Sequence, residues 1–405
     1  MKVCFVEQNT RLPVPATMGG AMEQLLTILL EENEKSKEDI EMFFVQNNLE
    51  KIDKKFWAVK EYKKSKFCYI YYNKIVNKIR KIINKICDGL KIKKTFPLHI
   101  PNQYQISAFK MVKKINPDII IFENSIDSNT KRYTKYFGKE RIFYHMHFDD
   151  ERKIDLSKFF GGTISVSKFI NDNYHKKVRF ENDTNDYILP NCVDEDLFTR
   201  ECSLEEKKEL KSKFGFDKDD FVVLYCGRIN EKKGVLELIK AILHTEKRIK
   251  LLIVGGFFST NNEKSKFLSK IENYVKQHSE KIKFTGYVDN AQLFKYYQIA
   301  DLQVVPSLNE EAAGLVVIEG QHCGLPQIVT KSGGMVEYVP KEALQIERDD
   351  KLVENLEKEI TRLSNDKQSL EKMRIASFEN SIKYKKNDYY KNFVKIVKDI
   401  ESKNK

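Results

Sequence analysis

The sequence predicts an α/β protein with two Rossmann-like, doubly wound domains that face each other across a cleft. Three observations lead to this prediction. The 405 residues are enough for two domains, each with its own core. Short apolar runs alternate with helix-periodic polar stretches, which is typical of parallel sheets. The alternation starts again after residue 190, and ligands of such folds bind at the carboxyl ends of the strands.

The composition is that of a globular protein, since 41% of the residues are hydrophobic. The seven cysteines are scattered and form no CxxC pair, which favours reduced thiols over a disulfide framework or a zinc site. The apolar start at residues 3–6 is too short for a signal peptide, and no apolar run approaches the roughly 18 residues that span a bilayer. We therefore expect a cytoplasmic protein, peripheral at most on the inner face of the cell membrane.

The positive charge is concentrated in one segment of the chain. Residues 51–94, called the basic segment below, hold 15 lysines and arginines but only 3 acidic residues. This local excess equals the net charge of the whole chain, +12. A nucleic-acid enzyme would spread its basic residues along a groove, so the pattern favours a local anionic partner and no nucleic acid.

The first half of the chain alternates predicted strands with predicted helices. Strands are expected over residues 1–9, 40–45, 119–122, 141–147, 162–166 and 187–191, and helices over 21–34 and 103–115. Gly19 and Gly20 lie between the first strand and the first helix, where many nucleotide-binding folds bring backbone close to a phosphate. A plain loop accounts for this pair equally well.

The basic segment contains a predicted amphipathic helix. From Tyr72 to Gly89 the isoleucines recur at helical spacing, and four lysines occupy the other face. These are Lys74, Lys78, Lys81 and Lys85. Aromatic residues precede the helix among further lysines, at Phe56, Trp57, Tyr62, Phe67, Tyr69 and Tyr71. This combination is typical of a surface that binds anionic lipid, and the alternative is an ordinary helix that packs its isoleucines on the sheet.

Two histidines, His145 and His147, stand at the exit of a predicted strand. This position suits a ligand-contacting role, although a structural role is the alternative. A His-x-His pair could also ligate a metal, but no Asp, Glu or Cys at ligand spacing completes such a site. We therefore expect no metal.

The second half again alternates strands and helices. Strands are expected over residues 221–226, 251–254, 282–285, 302–305 and 327–329, and helices over 204–214 and from 235. Arg228 follows the first of these strands, Lys233 lies in the next turn, and Ser332-Gly333-Gly334 follows the last strand. Arg228 and Lys233 could together neutralise a diphosphate, and the alternative is a solvated loop.

Residues 306–320 place Glu311 and Glu319 eight positions apart around a turn of small residues. The helix start after this turn offers free backbone N–H groups to an anion. Eight helical residues span roughly 12 Å, wider than the carboxylate pairs of glycosidases at about 5 to 9.5 Å. The spacing suits two ends of an elongated ligand, and an ordinary capped helix is the alternative.

Together these motifs resemble a retaining GT-B-fold glycosyltransferase of glycosyltransferase family 4, the glycosyl transferases group 1. The resemblance covers nearly the whole chain except residues 48–100. It is carried in order by GGAxE at 19–23, HMH at 145–147, SVS at 165–167, LPNCVD at 189–194, GRINEKKG at 227–234, LLIVGG at 251–256, FTGYV at 284–288, PSLNEEAAGLVVIE at 306–319 and CGLPQIVTKSGGMVEYV at 323–339.

The resemblance implies roles for individual residues. Arg228 and Lys233 would bind the diphosphate of a nucleotide-sugar donor such as a UDP-sugar, Glu319 its ribose, and Glu311 would lie beside the sugar. The backbone at Ala313, Gly314 and Leu315 would complete the sugar–phosphate site, Gly20 would approach the phosphates, and His147 would face the sugar or the acceptor. The family retains configuration by same-face attack, which needs no protein nucleophile, and no metal is implied.

The resemblance also implies the domains. Residues 1–190 would form an acceptor domain with a basic insertion at about 48–100, and residues 191–380 the donor domain. Residues 381–405 would form a helix that crosses back to the first domain.

The expected reaction is transfer of a sugar to a lipid-linked or glycan acceptor in bacterial surface polysaccharide or capsule biosynthesis. The alternatives are a related sugar-nucleotide epimerase and a non-catalytic scaffold at the membrane surface. Cys192 stands where the family has glycine, and the small Ala312 and Ala313 alter the expected sugar pocket, so the sugar stays open.

Overall fold

The computed structural model of the chain describes residues 1–7, 14–16, 20–47, 61–70, 75, 78–79, 82, 103–123, 129–149, 155–177, 184–198, 203–256 and 266–405. The chain divides into two compact units. Unit 1 comprises Met1–Pro190 together with Lys386–Lys405, and unit 2 comprises Asn191–Lys385. Unit 2 thus ends five residues beyond residue 380, the predicted end of the donor domain.

Unit 1 contains a sheet of seven parallel strands in the order β3-β2-β1-β4-β5-β6-β7. The strands are β1 Lys2–Glu7, β2 Glu41–Asn47, β3 Ser65–Ile70, β4 Ile119–Glu123, β5 Ile142–Met146, β6 Gly162–Ser165 and β7 Asn185–Ile188. The helices are Ala21–Lys35, Gln103–Ile115, Thr130–Phe137, Lys168–Lys177 and Lys386–Lys403, with 3-10 turns at Lys139–Arg141 and Leu156–Lys158.

The core of unit 1 includes the last helix of the chain. The ring of Phe5 in β1 stacks on Phe44 in β2 and on Phe393 in the helix Lys386–Lys403, with centroids 5.1 and 5.8 Å apart. The Tyr390 hydroxyl donates a hydrogen bond to Asn33 Oδ1 at 2.8 Å. Aromatic stacking and a buried hydrogen bond therefore hold this helix on unit 1.

The basic segment contributes a strand that the sequence did not reveal. Ser65–Ile70 pairs with β2 as the edge strand β3, and Phe67 stacks on Phe44 at 5.6 Å. Tyr62 contacts Phe67 edge-on at 5.7 Å. Tyr62 and Phe67 thus make ring contacts at the sheet edge and are half-buried, and their role at a lipid surface stays a prediction.

The predicted basic helix is described at four residues. Ile75, Lys78, Ile79 and Ile82 are helical and exposed. The exposed fractions of the three isoleucines are 69%, 53% and 53%. These three isoleucines therefore do not pack on the sheet, and the alternative of an ordinary packed helix is wrong for them. Phe56, Trp57, Tyr71, Lys74, Lys81 and Lys85 lie outside the described residues.

Unit 2 contains a sheet of six parallel strands in the order β10-β9-β8-β11-β12-β13. The strands are β8 Phe221–Cys226, β9 Ile249–Val254, β10 Ile282–Phe284, β11 Leu302–Val305, β12 Gln327–Thr330 and β13 Leu344–Ile346. The helices are Glu195–Phe198, Leu204–Lys213, Val235–His244, Lys266–Gln277, Asn290–Ile299, Leu315–His322, Leu352–Asn365 and Lys367–Ser381, with 3-10 turns at Glu231–Lys233, Gly333–Glu337 and Ile382–Tyr384. The predicted α/β class with two parallel sheets is confirmed, and β13 is a strand that the sequence analysis missed.

A buried amide chain fixes the helix Leu315–His322 in unit 2. Gln327 Nε2 donates to Gln303 Oε1 at 2.7 Å, and Gln321 Nε2 donates to Gln327 Oε1 at 2.9 Å. Asn380 Nδ2 continues the chain to Gln321 Oε1 at 3.0 Å. A buried polar group is costly unless it is satisfied, so this chain sets one position for the helix.

No helix among the described residues is long and apolar enough to cross a membrane.

Candidate active site

The carboxyl ends of β8, β11 and β12 carry the predicted donor residues of unit 2. Parallel strands end at one edge of their sheet, so the segments that follow them are neighbours there. Arg228 lies two residues after β8, Ser307 two residues after β11, and Ser332 two residues after β12. Strand order therefore brings together residues that lie about 80 and 100 positions apart in the chain.

The turn with Lys233 packs tightly against the segment after β11. Gly234 has φ +68°, and a Cβ there would lie 1.9 Å from the Pro306 carbonyl oxygen. The Leu308 N–H donates to the Lys232 carbonyl at 2.9 Å. Only glycine combines this left-handed conformation with this close approach, so Gly234 sets the place of Lys233.

Lys233 and Glu311 form an ion pair at this edge. Lys233 Nζ lies 2.5 Å from Glu311 Oε1, and the Ser307 hydroxyl donates to the same oxygen at 2.5 Å. The side chains of Lys233 and Glu311 are 26% and 17% exposed. The two predicted donor residues are thus directly in contact and within reach of a ligand.

The backbone of Glu311 is held by the turn after β12. The Glu311 N–H donates to Ser332 Oγ at 3.1 Å, and the Gly334 N–H donates to the Glu311 carbonyl at 2.7 Å. Ser332 also donates to the carbonyl of Asn309. The Ser332-Gly333-Gly334 turn therefore holds the Glu311 backbone by two hydrogen bonds and the preceding segment at Asn309 by a third.

The second predicted glutamate, Glu319, is buried in the helix Leu315–His322. The Tyr297 hydroxyl donates to Glu319 Oε2 at 2.6 Å. Burial raises the pKa of Glu319 to about 7, although the hydrogen bond from Tyr297 works in the opposite direction. Glu319 therefore titrates near neutral pH. The helix begins after Gly314, and within the described residues no side chain caps this start.

Arg228 is exposed at the end of β8. Its carbonyl accepts a 2.9 Å hydrogen bond from the buried Tyr225 hydroxyl. Burial raises the pKa of Tyr225, and the charges of Glu311 and Arg228 act on it in opposite directions. Glu311 and Arg228 therefore both act electrostatically on one buried tyrosine, with the guanidinium open to solvent.

A second cluster lies at the strand ends of unit 1. Glu123 ends β4 and is in register with His145 of β5. His145 Nδ1 lies 3.2 Å from Glu123 Oε1, and His147 Nε2 lies 2.7 Å from Glu123 Oε2. The side chains of Glu123, His145 and His147 are 0%, 4% and 9% exposed. The expectation that no carboxylate accompanies the histidines was wrong, because Glu123 comes from the neighbouring strand.

The electrostatics of this cluster favour an ionised carboxylate at Glu123. Burial alone would raise the pKa of Glu123, but the two histidines lower it to about 2. Burial and the charge of His145 lower the pKa of His147. Burial raises the pKa of Glu23, and the charge of Glu123 raises it further, so Glu23 belongs to the same electrostatic environment.

Gly20 precedes the helix Ala21–Lys35 as its N-cap, with φ −137°. Any residue adopts this extended conformation, so the backbone does not require glycine at position 20. Gly19 lies outside the described residues, and the approach of Gly20 to phosphates stays a prediction.

Residues 206–379 match the family described as glycosyl transferases group 1. Lys233, Ser307, Glu311 and Glu319 all lie inside the matched residues, and the resemblance found in the sequence is confirmed there.

Two curated relatives each match part of the chain. The lipopolysaccharide 1,2-N-acetylglucosaminetransferase of Salmonella typhimurium is 32% identical over 156 residues, which cover 38% of this chain and 40% of that protein. The alpha-monoglucosyldiacylglycerol synthase of Acholeplasma laidlawii is 29% identical over 160 residues, 38% of each chain. The chain thus spans about two fifths of the length of these relatives.

The fold similarity extends beyond residues 206–379. The structure of Anabaena Alr3699/HepE in complex with UDP-glucose matches with a TM-score of 0.71 over 98% of this chain and 100% of that chain, at 15% identity. The structure of WaaG, a glycosyltransferase involved in lipopolysaccharide biosynthesis, matches with a TM-score of 0.63 over 97% and 99% at 13% identity. The predicted GT-B fold is confirmed by these matches.

Proposed function

We propose that the chain is a retaining, metal-independent glycosyltransferase that uses a nucleotide-sugar donor. The observation that carries this proposal is the partly exposed ion pair between Lys233 and Glu311. Glu311 lies eight positions before the buried Glu319, and all three residues lie inside the family match. A cation, a shared carboxylate and a second carboxylate at this spacing suit the phosphate, sugar and ribose of one donor.

The donor phosphate is the ligand that Lys233 is placed to take. In the structure described here its ammonium is neutralised by Glu311. A diphosphate brings about two negative charges, which Lys233 and the exposed Arg228 would match. The two cations would stabilise the charge that develops on the leaving group, which is where electrostatic catalysis acts most strongly.

The remaining donor contacts follow from the same helix. Glu319 Oε2 is occupied by Tyr297, which leaves Oε1 for the ribose hydroxyls. The backbone at Ala313, Gly314 and Leu315 opens the helix Leu315–His322 and offers N–H groups to the sugar phosphate. The leaving phosphate would take the proton of the acceptor hydroxyl, so retention needs no protein nucleophile. His147 would face the sugar or the acceptor.

The acceptor proposal is a lipid-linked or glycan hydroxyl in bacterial surface polysaccharide biosynthesis. It is supported by the activities of the two relatives, which concern lipopolysaccharide and a diacylglycerol glycolipid. The exposed Ile75, Ile79 and Ile82 beside Lys78 add a surface that suits anionic lipid. We place the enzyme at the inner membrane surface on these grounds.

The proposal is tested by adding a panel of nucleotide sugars to the full chain. A donor stabilises the native state by mass action, so one member should raise Tm, and the same member should then be consumed with a lipid-extract acceptor. The matched control is the Lys233→Ala variant, which should lose the shift. Binding of no nucleotide sugar would overturn the proposal, and isomerisation of the donor without an acceptor would establish an epimerase instead.

A further inference from the structure

The cluster of Glu123, His145 and His147 contains two groups that the proposed function does not use. Glu123 is fully buried and pairs with both imidazole rings, which contact each other with centroids 3.9 Å apart. A buried carboxylate is costly unless it is fully paired, and here two ring nitrogens pair with it. His147, the residue expected to face the sugar or the acceptor, is one of these partners, so Glu123 is a candidate for a chemical role.

The hydrogen-bond inventory decides where the protons lie. An ionised carboxylate only accepts hydrogen bonds, so each ring nitrogen that faces Glu123 must carry a proton. His147 therefore has its proton on Nε2 and, as a neutral ring, a lone pair on Nδ1. His145 has its proton on Nδ1 for the same reason. The hydrogen bonds of a histidine ring set which of its nitrogens is protonated, and Glu123 is the acceptor that keeps the proton on Nε2 of His147.

We propose that Glu123 is a positioning residue that holds His147 in the tautomer protonated at Nε2, so that Nδ1 accepts a hydrogen bond from a substrate hydroxyl. The substrate class is a sugar or polyol hydroxyl, and the proposal rests on the role of His147 in the proposed function. No bond is formed or broken by Glu123 itself. The carboxylate sets the orientation of the ring and keeps the acceptor lone pair on Nδ1.

The same three side chains could also bind a divalent cation, because their ligand atoms all lie within 4.8 Å of one another. The distances favour the positioning role. Two ligands of one tetrahedral zinc ion lie roughly 3.3 Å apart, given bonds of about 2.0 Å. His147 Nε2 and Glu123 Oε2 are only 2.7 Å apart, the length of a charge-assisted hydrogen bond. A proton fits between these atoms.

The test measures the tautomer of His147 directly. The chain has seven histidines, so ¹⁵N ring spectra of wild type and of His147→Gln assign the signals of His147. Wild type should show the Nε2-protonated form. Glu123→Gln offers one carbonyl oxygen to two N–H groups, so it should populate both tautomers of His147. Glu123→Ala offers no acceptor and should increase the population of the Nδ1-protonated tautomer further.

Kinetics provide the second readout. Glu123→Ala should lower kcat on the order of 10²-fold while the KM for the donor stays within about threefold, and Glu123→Gln should fall between it and wild type. The control is Asp301→Asn. Like Glu123, Asp301 is a carboxylate with two basic partners, here Lys207 at 2.7 Å and Lys211 at 2.8 Å. It should lower Tm without changing the His147 spectrum.

Three outcomes would overturn the inference. These are an unchanged His147 tautomer in both Glu123 variants, an Nδ1-protonated wild type, and stoichiometric zinc that is retained through dialysis and lost on Glu123→Gln. The spectra need no substrate, so they test Glu123 even if no donor binds. Failure of wild type to bind any nucleotide sugar would instead overturn the proposed function.

Discussion

Lys233 Nζ and Glu311 Oε1 lie 2.5 Å apart, and Ser307 donates to the same carboxylate oxygen. The cation that we assign to the donor phosphate is thus already paired before a donor is present. Phosphate and Glu311 must compete for one ammonium group, and this competition gives the two residues opposite effects on nucleotide affinity.

We expect Lys233→Ala to weaken UDP binding by about 10- to 100-fold, since a hydrogen bond to a charged group contributes about 1.5–3 kcal/mol. Glu311→Gln should leave UDP affinity unchanged or raise it, because the competing charge is removed. Both variants should lose transfer activity and keep the fold. Calorimetry with UDP measures the affinities.

Lys331→Ala is the matched control for Lys233→Ala. Lys331 pairs with Glu347 on the same unit and is half exposed. Its loss should leave UDP affinity unchanged. Near-normal turnover in Lys233→Ala or Glu311→Ala would contradict the assignment of the donor site.

Glu319 makes donor affinity depend on pH near neutrality. Its pKa is raised to about 7 in the folded chain from an ordinary 4.5. The carboxylate is the stronger acceptor for ribose hydroxyls, so donor affinity should rise as pH increases through 7 and level off above 8. Glu319→Gln should bind the donor more weakly and show no such inflection. A flat wild-type profile between pH 6 and 8 would contradict the role of Glu319.

The same group affects stability in the opposite direction. An acid with a raised folded-state pKa binds more protons when folded, so its contribution to stability falls as pH increases from 4.5 to 7. The loss amounts to about 3 kcal/mol. Above pH 7 the Tm of Glu319→Gln should therefore exceed that of wild type. Tyr297→Phe removes the hydrogen bond that lowers this pKa and should move the wild-type inflection to higher pH.

Gly234→Ala should destabilise unit 2 and weaken nucleotide binding together. The left-handed conformation costs a non-glycine residue about 1–2 kcal/mol. The contact of 1.9 Å with the Pro306 carbonyl adds about 1–3 kcal/mol. Gly286→Ala is the control, because Gly286 has φ +72° and nothing within 4 Å of its added Cβ. Denaturant titration should show a clearly larger loss for Gly234→Ala, and equal losses would mean that the Pro306 contact is unimportant.

Anionic vesicles should bind the chain through the exposed isoleucines of the basic segment. Full burial of each isoleucine contributes about 1.5–3 kcal/mol. The triple serine variant of Ile75, Ile79 and Ile82 should therefore bind phosphatidylglycerol vesicles at least about 100-fold more weakly, as measured by sedimentation. Phosphatidylcholine vesicles should bind weakly in either case.

A second exposed apolar stripe serves as the control for this surface. Ile375, Phe378 and Ile382 are 48%, 50% and 48% exposed in unit 2. The corresponding triple serine variant should bind vesicles like wild type. Unchanged sedimentation of the first triple variant would remove the lipid proposal.

Strands could be predicted from the sequence where a continuous apolar run marks them. Strands such as Phe221–Cys226 and Leu302–Val305 coincide with the predicted apolar runs, because a parallel strand is buried on both faces. The edge strand Ser65–Ile70 was missed because alternating Lys66 and aromatic residues resemble a basic surface segment. The three-residue edge strand Leu344–Ile346 is too short to carry a period.

The candidate site was predicted for single residues but not for their partners. Lys233 and Glu311 stand in motifs, but their contact depends on strand order and on Gly234. Glu123 and Tyr297 lie 22 residues before His145 and Glu319, and no pattern links residues at that distance. A carboxylate that ends β4 beside a histidine of β5 was the available signal for Glu123, once the neighbouring strand ends are compared.

The helix Lys386–Lys403 belongs to unit 1, and unit 2 is one continuous stretch, Asn191–Lys385. During synthesis every residue of unit 2 leaves the ribosome before unit 1 has its last helix. Unit 2 can therefore finish folding first, and the face of unit 1 around Phe5 and Asn33 stays uncovered until residues 386–403 are made. Released chains that end at residue 385 should hold a folded unit 2 and an incomplete unit 1 that is open to chaperones.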